Sequence, residues 1–358
     1  MNLAAAGDFP LHGWVESDAR PGVVIGVLAN GNVTSWQARG RMGLASADLC
    51  LMPATTFYVA SVAKQFTAAC VALCAQRGSL GPGLSIRHFL PELPGFFDPV
   101  TLRHLLSHSG GVPAADPLAA AHGLAENWWE GRGLWDLIAA LAEAPALGAP
   151  PGAAYRYSNE GYWLLAAAVE RAGGAPLARF AQENLFAPLA MTRSRFRDDP
   201  DAAQPGLVIG HAARDGGFVP IHTRFHGVGD GGLLTDLEDL ARWDLFWSGR
   251  SALGPELPRQ MTSRGRLNDG VTLQYAWGVS LRDHHGQPII GHGGSYLGYL
   301  AKFVRFPTRN FSVACLANAD DIDVNAIAMA LADRVLGRYC DRAQPSWAQT
   351  LSADGRAG

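Results

Sequence analysis

The sequence predicts an α/β (α+β) fold, in which a sheet built from both ends of the chain is flanked by helices and a mostly helical region is inserted between them. Three observations carry this. A strand, tight turn and strand lie near the start, short strands return from Tyr275 onward, and helical periodicity fills the middle. In order, residues 23–28, the turn Asn30-Gly31-Asn32 and residues 33–37 form the first hairpin. Residues 61–77 form a helix with Val62, Phe66, Ala69, Cys70 and Leu73 on one face and Gly78 as its stop. Residues 101–107 form a short helix ended by Gly110-Gly111 and Pro113. Residues 114–150 are rich in Ala, Gly and Pro and contain Trp128, Trp129 and Trp135. Residues 161–172 and 176–185 are helical. Thr235-Asp236-Leu237-Glu238 is a capping box opening a helix through Phe246. Strands follow at 275–281, 288–291, 300–306 and 311–317, and a last helix runs from an Asp323 cap to Gly337. The expected organisation is a discontinuous sheet domain over 11–80 and 225–340, a mostly helical region over 81–224, and a loose tail over 341–358.

Composition removes several classes of function. The 358 residues are 48% hydrophobic and 17% charged, which suits a packed globular chain and excludes wholesale disorder. A net charge of −3 gives no electrostatic case for nucleic acid or an anionic membrane as partner. No apolar run approaches the ~20 residues a membrane-spanning helix needs. Before Arg20 there is neither a basic n-region nor an apolar h-region. The expectation is a cytoplasmic protein, or a periplasmic or secreted one whose signal has been removed. The five cysteines (Cys50, Cys70, Cys74, Cys315, Cys340) show no CxxC pair, and Cys70 and Cys74, four apart in a helical pattern, suit two buried thiols. No metal or other cofactor is expected, and the partner is a small-molecule substrate.

Of the 29 basic residues only Lys64 and Lys302 are lysines. Because arginine serves wherever a bare charge suffices, a lysine here can mark a place where the ability to lose a proton counts, the bland alternative being a solvated surface residue. Ser61-Val62-Ala63-Lys64 sets a serine nearly one helical turn before such a lysine, on the same side of the helix. A serine hydroxyl needs a neighbouring base to become a nucleophile, and a buried lysine with a lowered pKa can be that base. Tyr157-Ser158-Asn159 offers a phenol, whose anion an ammonium would stabilise, and an amide able to donate to a substrate carbonyl and accept from the lysine. The bland alternative for this segment is a turn capped by Asn159. His292-Gly293-Gly294, followed by Ser295 and Tyr296, closes an apolar strand; its glycines let a substrate backbone approach, and the next N–H can serve an oxyanion.

Together these three motifs, the segment 57–60 before Ser61, the block 102–111 and Gly231-Gly232-Leu233 resemble the serine β-lactamase and penicillin-binding-protein family. The resemblance is to the class C-like branch, which includes D-alanyl-D-alanine carboxypeptidases, D-aminopeptidases and β-lactamase-like esterases, and it covers roughly residues 20–337. It implies a β-lactamase-like fold with an antiparallel sheet, and an acyl-enzyme mechanism on small esters or amides, including D-amino-acid amides and peptides. By motif it makes Ser61 the nucleophile, Lys64 its base partner and Tyr157 a proton shuttle. Asn159, His292, Gly294 and Ser295 would bind substrate, with the oxyanion held by the backbone N–H groups of Ser61 and Ser295. One departure matters: β-lactamases of this branch usually carry Lys-Thr-Gly where this chain has His292-Gly293-Gly294. A class C-like β-lactamase is therefore an alternative reading, and a non-catalytic penicillin-binding or cell-wall-fragment sensor is a second one of a different class.

Three further features read as ordinary structure. The G-x-G-x-x-G at 227–232 follows no apolar strand, so it is a tight segment near the pocket rather than a dinucleotide site, and Asp230 within it reads as a solvated loop carboxylate. His104 and His108 have i,i+4 spacing but no H-E-x-x-H glutamate and no third ligand, so zinc is not expected. Trp128, Trp129 and Trp135 either pack or line an apolar acyl pocket.

Overall fold

The computed structural model describes residues 2–44, 50–121, 128–204 and 206–337. The expected tail over 341–358 and Cys340 lie outside them. The strands are β1 (Val23–Ala29), β2 (Asn32–Arg39), β3 (Phe57–Tyr58), β4 (Arg195–Phe196), β5 (Gly210–Arg214), β6 (Gly217–Ile221), β7 (Leu233–Thr235), β8 (Ser280–His284), β9 (Gln287–Tyr296), β10 (Tyr299–Phe306) and β11 (Phe311–Ala317). The α-helices are α1 (Lys64–Gln76), α2 (Leu102–Leu106), α3 (Ala115–Ala121), α4 (Leu134–Ala142), α5 (Glu160–Gly173), α6 (Leu177–Ala181), α7 (Leu237–Trp247), α8 (Glu256–Met261) and α9 (Val324–Val335).

One six-stranded antiparallel sheet, in the order β2-β1-β11-β10-β9-β8, joins the two ends of the chain. Its central strands β1 and β11 are buried at every residue, which is why they read as unbroken apolar runs. Val23, Ile25, Val27, Val313, Cys315 and Ala317 turn to a core shared with Ile327, Leu331 and Val335 of α9. Val24, Leu28, Ala301, Phe303, Ala314 and Leu316 turn to the larger core, built with α1, α5 and α7. At the outer strand β2 the pattern changes to alternation, because only one face is covered.

Several expected elements shift, each for a local reason. The helix expected over 61–77 begins as a 3-10 turn, Ala60–Ala63, and becomes α-helical at Lys64. It has no single buried face: every residue from Lys64 to Cys74 is buried, because the helix runs through the core rather than over it. Cys70 and Cys74 are both buried free thiols. The helix expected over 176–185 is α-helical only to Ala181, after which a π turn, Gln182–Phe186, widens it. The capping box at Thr235 gives way to an Asp236 cap, whose carboxylate accepts from the Asp239 N–H. Thr235 ends β7, and Glu238 pairs with Arg193. The strand expected over 275–281 begins only at Ser280, since Gly278 at φ 73° turns the chain and leaves Tyr275 in one isolated bridge to Ser280. Conversely, β9 continues past 291 to Tyr296 and carries His292-Gly293-Gly294 along its length. The three-stranded sheet β3-β7-β4 was not expected; its strands are two or three residues long, too short for any period to show. Among the described residues, no helix is long and apolar enough to cross a membrane.

Candidate active site

Four segments meet at one place: the turn entering α1, the N-terminus of α5, the 227–232 loop and the free edge of β9. β8 accompanies β9 only as far as Gly291, so the stretch 292–296 has one strand neighbour, β10, among the described residues. The turn carrying Ser61 lies directly against this edge. A Cβ added at Gly294 would stand 2.2 Å from the Val59 carbonyl oxygen and 3.1 Å from the Ser61 nitrogen, so only glycine allows that approach. Ala60, immediately before Ser61, holds a positive φ of 46°, a conformation that a side chain resists and that surrounding packing enforces here.

Lys64 is fully buried, and its ammonium is held from three directions. Nζ lies 2.8 Å from Asn159 Oδ1, 2.8 Å from the Asp230 carbonyl oxygen and 3.1 Å from Ser61 Oγ. The two carbonyl-type oxygens can only accept, so they fix two N–H bonds. The third tetrahedral position of the amine is thereby aimed at the Ser61 hydroxyl, which it donates to when charged and accepts from when neutral. Burial drives the Lys64 pKa down to about 8, against the opposing pull of the Asp230 and Glu160 charges. Asn159 does occupy the cap position of α5, but its side chain makes no cap bond; it accepts from Lys64, while Ser158 Oγ takes the Gly161 N–H instead.

The Tyr157 ring sits 4.9 Å from Lys64 Nζ and 4.3 Å from the His108 ring. Burial pushes the Tyr157 phenol above its usual value, and only a hydrogen bond with Ser61 opposes it. Of the two candidate bases, lysine is the one tuned toward neutral pH. His108 is buried rather than solvent-exposed. Its Nδ1 accepts from the Ser158 N–H, and burial together with the Lys64 charge holds its pKa well below the ordinary value. His104 instead forms a reciprocal cap with Thr101. His292 is likewise neutral, its pKa lowered to about 3 by burial and by the Lys64 charge. Its Nδ1 lies 2.5 Å from the Gly293 carbonyl oxygen, so that nitrogen bears the hydrogen, and Nε2 accepts from the Tyr275 hydroxyl at 2.9 Å.

Asp230 is not a solvated loop carboxylate. Its backbone carbonyl anchors Lys64, its Oδ1 accepts from Trp163 Nε1 at 2.6 Å, and burial raises its pKa. It lines a cavity of about 210 Å3 that Ser61, Asn159 and Ser295 also border. Asp116 and Glu160 add carboxylates to the same wall, and Trp128, Trp129, Phe225 and Tyr296 add aromatic surface. Trp135 lies elsewhere, exposed and donating to Glu170. The structure therefore brings together Ser61, Lys64, Tyr157, Asn159, His292, Gly294 and Ser295, and adds His108, Asp230, Trp163 and Tyr275. His108 and Asp230 lay inside segments already singled out, whereas Tyr275 carries no sequence signal. The grouping of three possible metal ligands among the described residues, His284, His285 and Asp333, is on the end of β8, the β8–β9 turn and α9.

The chain is 26% identical over 343 residues to a D-aminopeptidase of Brucella ovis, covering 91% of this chain and 62% of that protein. It is 27% identical over 298 residues to a penicillin-binding protein of Bacillus subtilis, covering 78% of this chain and 64% of that one. It thus spans less than two thirds of the length of these curated relatives. The octameric penicillin-binding protein homologue from Pyrococcus abyssi superposes with a TM-score of 0.78 at 25% identity, over 89% of this chain and 74% of that chain. The family model described as Beta-lactamase matches residues 12–337, nearly the whole described chain and every residue of the Ser61 site, and the chain belongs to that family.

Proposed function

We propose that the protein is a serine hydrolase acting through an acyl-enzyme on small amides or esters, with D-amino-acid amides and peptides as its principal substrates. The observation that carries the reading is a buried lysine with a pKa of about 8 whose one free direction points at Ser61 Oγ. A protein that only bound its ligand would have no use for that base. In the forward step Lys64 accepts the Ser61 proton as Oγ bonds to the substrate carbonyl carbon. The oxyanion is held by the backbone N–H groups of Ser61 and Ser295. The proton passes through Lys64 and Tyr157 to the leaving nitrogen or oxygen, the bond to it breaks, and water later releases the acid from Ser61. Asn159 orients both Lys64 and the substrate carbonyl.

The wall of Asp116, Glu160 and Asp230 supports an acyl group bearing an ammonium, which carboxylates and aromatic faces both attract. The relatives named D-aminopeptidase support the same substrate. The neutral His292, where β-lactamases of this branch carry lysine, weighs against efficient β-lactam turnover. An initial-rate panel on the native protein and on Ser61→Ala tests this, with a short p-nitrophenyl ester, D-alanine p-nitroanilide and a chromogenic cephalosporin. Ser61-dependent turnover with the anilide preferred to the cephalosporin is expected. Equal rates in Ser61→Ala, or no turnover of any of the three, overturn the reading.

A further inference from the structure

Away from the Ser61 site, the end of the β8–β9 hairpin and α9 bring two imidazoles and a carboxylate together. His284 pairs with Gln287, so His285 and Gly286 form a two-residue loop, with φ of 52° and 78°. Such a left-handed turn favours Asn-Gly or Asp-Gly. Here its first position is a histidine, whose ring stands 4.3 Å from that of His284. The His284 ring lies edge-on to the buried Phe306 at 6.1 Å, and its Nε2 is 2.7 Å from Oδ1 of Asp333 on α9. Both of these side chains are largely covered, at 17% and 25% exposed. One ligand atom from each of His284, His285 and Asp333 lies within 4.8 Å of the other two. Ligands about 2.0–2.2 Å from a tetrahedral ion stand roughly 3.3–3.5 Å from one another, so small side-chain rotations close the three around one ion.

We propose that His284, His285 and Asp333 form a binding site for a divalent transition-metal ion of the zinc type, which pins the β8–β9 hairpin to α9. The donor set selects the class: imidazole nitrogens suit Zn2+, Co2+, Ni2+ and Cu2+, whereas Mg2+ and Ca2+ take oxygen ligands throughout. The ion replaces the proton held between His284 Nε2 and Asp333 Oδ1, His285 supplies a third bond, and water completes the coordination. β8 is the outermost strand of the sheet, and the end of an edge hairpin is where local opening costs least. α9 is anchored in the core through Ile327, Leu331 and Val335, so a metal bond from Asp333 extends that anchorage to the sheet edge. The role is structural. Gln287 and His292 are five residues apart on β9, about 17 Å along an extended strand, which keeps the ion away from the Ser61 chemistry. His284 and Asp333 are 49 residues apart in the chain, so no ligand spacing marks the site in the sequence. The inference stands independently of the hydrolase reading.

The test is a metal titration of the native protein, His285→Asn and Asp333→Asn. Asparagine suits the left-handed turn at 285 and at 333 can still accept from His284, so each variant loses a ligand while keeping the local fold. Without metal, all three chains should melt within a few degrees of one another. In the native protein, Zn2+ at about one hundred times its Kd should raise Tm by about 5 °C. One equivalent of Co2+ should give the visible absorption of a tetrahedral ion, and Mg2+ or Ca2+ should leave Tm unchanged. Each variant should bind Co2+ at least about ten-fold more weakly. Neither a Tm shift nor a Co2+ band up to about 1 mM metal would leave His284 and Asp333 as a hydrogen-bonded pair only. Equal affinity in the native protein and both variants would put the ion at other histidines. Either result, or an equal response to Mg2+, overturns the site.

Discussion

If Lys64 is the base, acylation must track its neutral form, and the structure sets the pH at which that form appears. A solvated lysine near 10.5 is neutral at pH 7 in only about 0.03% of molecules, and one at about 8 in roughly 9%, so burial supplies about 300-fold more free base. For a neutral p-nitrophenyl ester, with the Ser61→Ala rate subtracted, kcat/KM should rise about nine-fold from pH 6 to 7, about five-fold from 7 to 8 and less than two-fold from 8 to 9. The direction follows from the chemistry: the group must lose its proton to work, so activity rises through its pKa. Asp230 supplies the larger of the two charges holding that value up, so Asp230→Asn should move the midpoint to lower pH. Lys64→Arg keeps a charge but cannot act as a base and should lose at least about 1,000-fold. A midpoint near 6.5 would assign the step to a histidine, although His108 and His292 are both held below that range. A profile flat from pH 6 to 9, or appreciable turnover by Lys64→Arg, refutes the assignment.

Two other perturbations probe the scaffold. Gly294→Ala places a methyl 2.2 Å from the Val59 carbonyl oxygen, which forces β9 and the nucleophile turn apart. kcat should fall about 100-fold while Tm, read by calorimetry, moves only a few degrees. Asp244→Ala removes the partner of the buried Arg305 and the acceptor of Ser312 Oγ. An uncompensated buried guanidinium should cost about 3–5 kcal/mol, measured as a lowered urea midpoint with unchanged slope.

What could be read from residues alone was whatever rests on local periodicity. β1, β11 and α9 emerge within a residue or two of expectation because an apolar run between turn residues, or a capped stripe at helical spacing, has one economical fold. The length of β9 was not legible: its last five residues include two glycines and a histidine, and they extend because β10 pairs with them. The three-stranded sheet is held by contacts far apart in the chain and leaves no local trace.

The same division runs through the site. The order Ser61, Lys64, Tyr157, Asn159, His292 was visible in the chain because chemistry restricts which residue types can serve, and the scarcity of lysine made Lys64 conspicuous. Protonation was not visible. That Lys64 is lowered toward neutrality, that the Tyr157 phenol is raised and that His292 is neutral depend on burial and on charges distant in the chain, Asp230 acting on Lys64 and Tyr157 and Lys64 acting on His292. Asp230 shows this most plainly. In the chain it is one acidic residue in a glycine-rich loop. In the fold, packing against Trp163 withdraws its carboxylate from water and turns its carbonyl toward Lys64. Residue identity sets which reactions are available, and desolvation, which exists only once the chain is packed, sets which protonation states they start from.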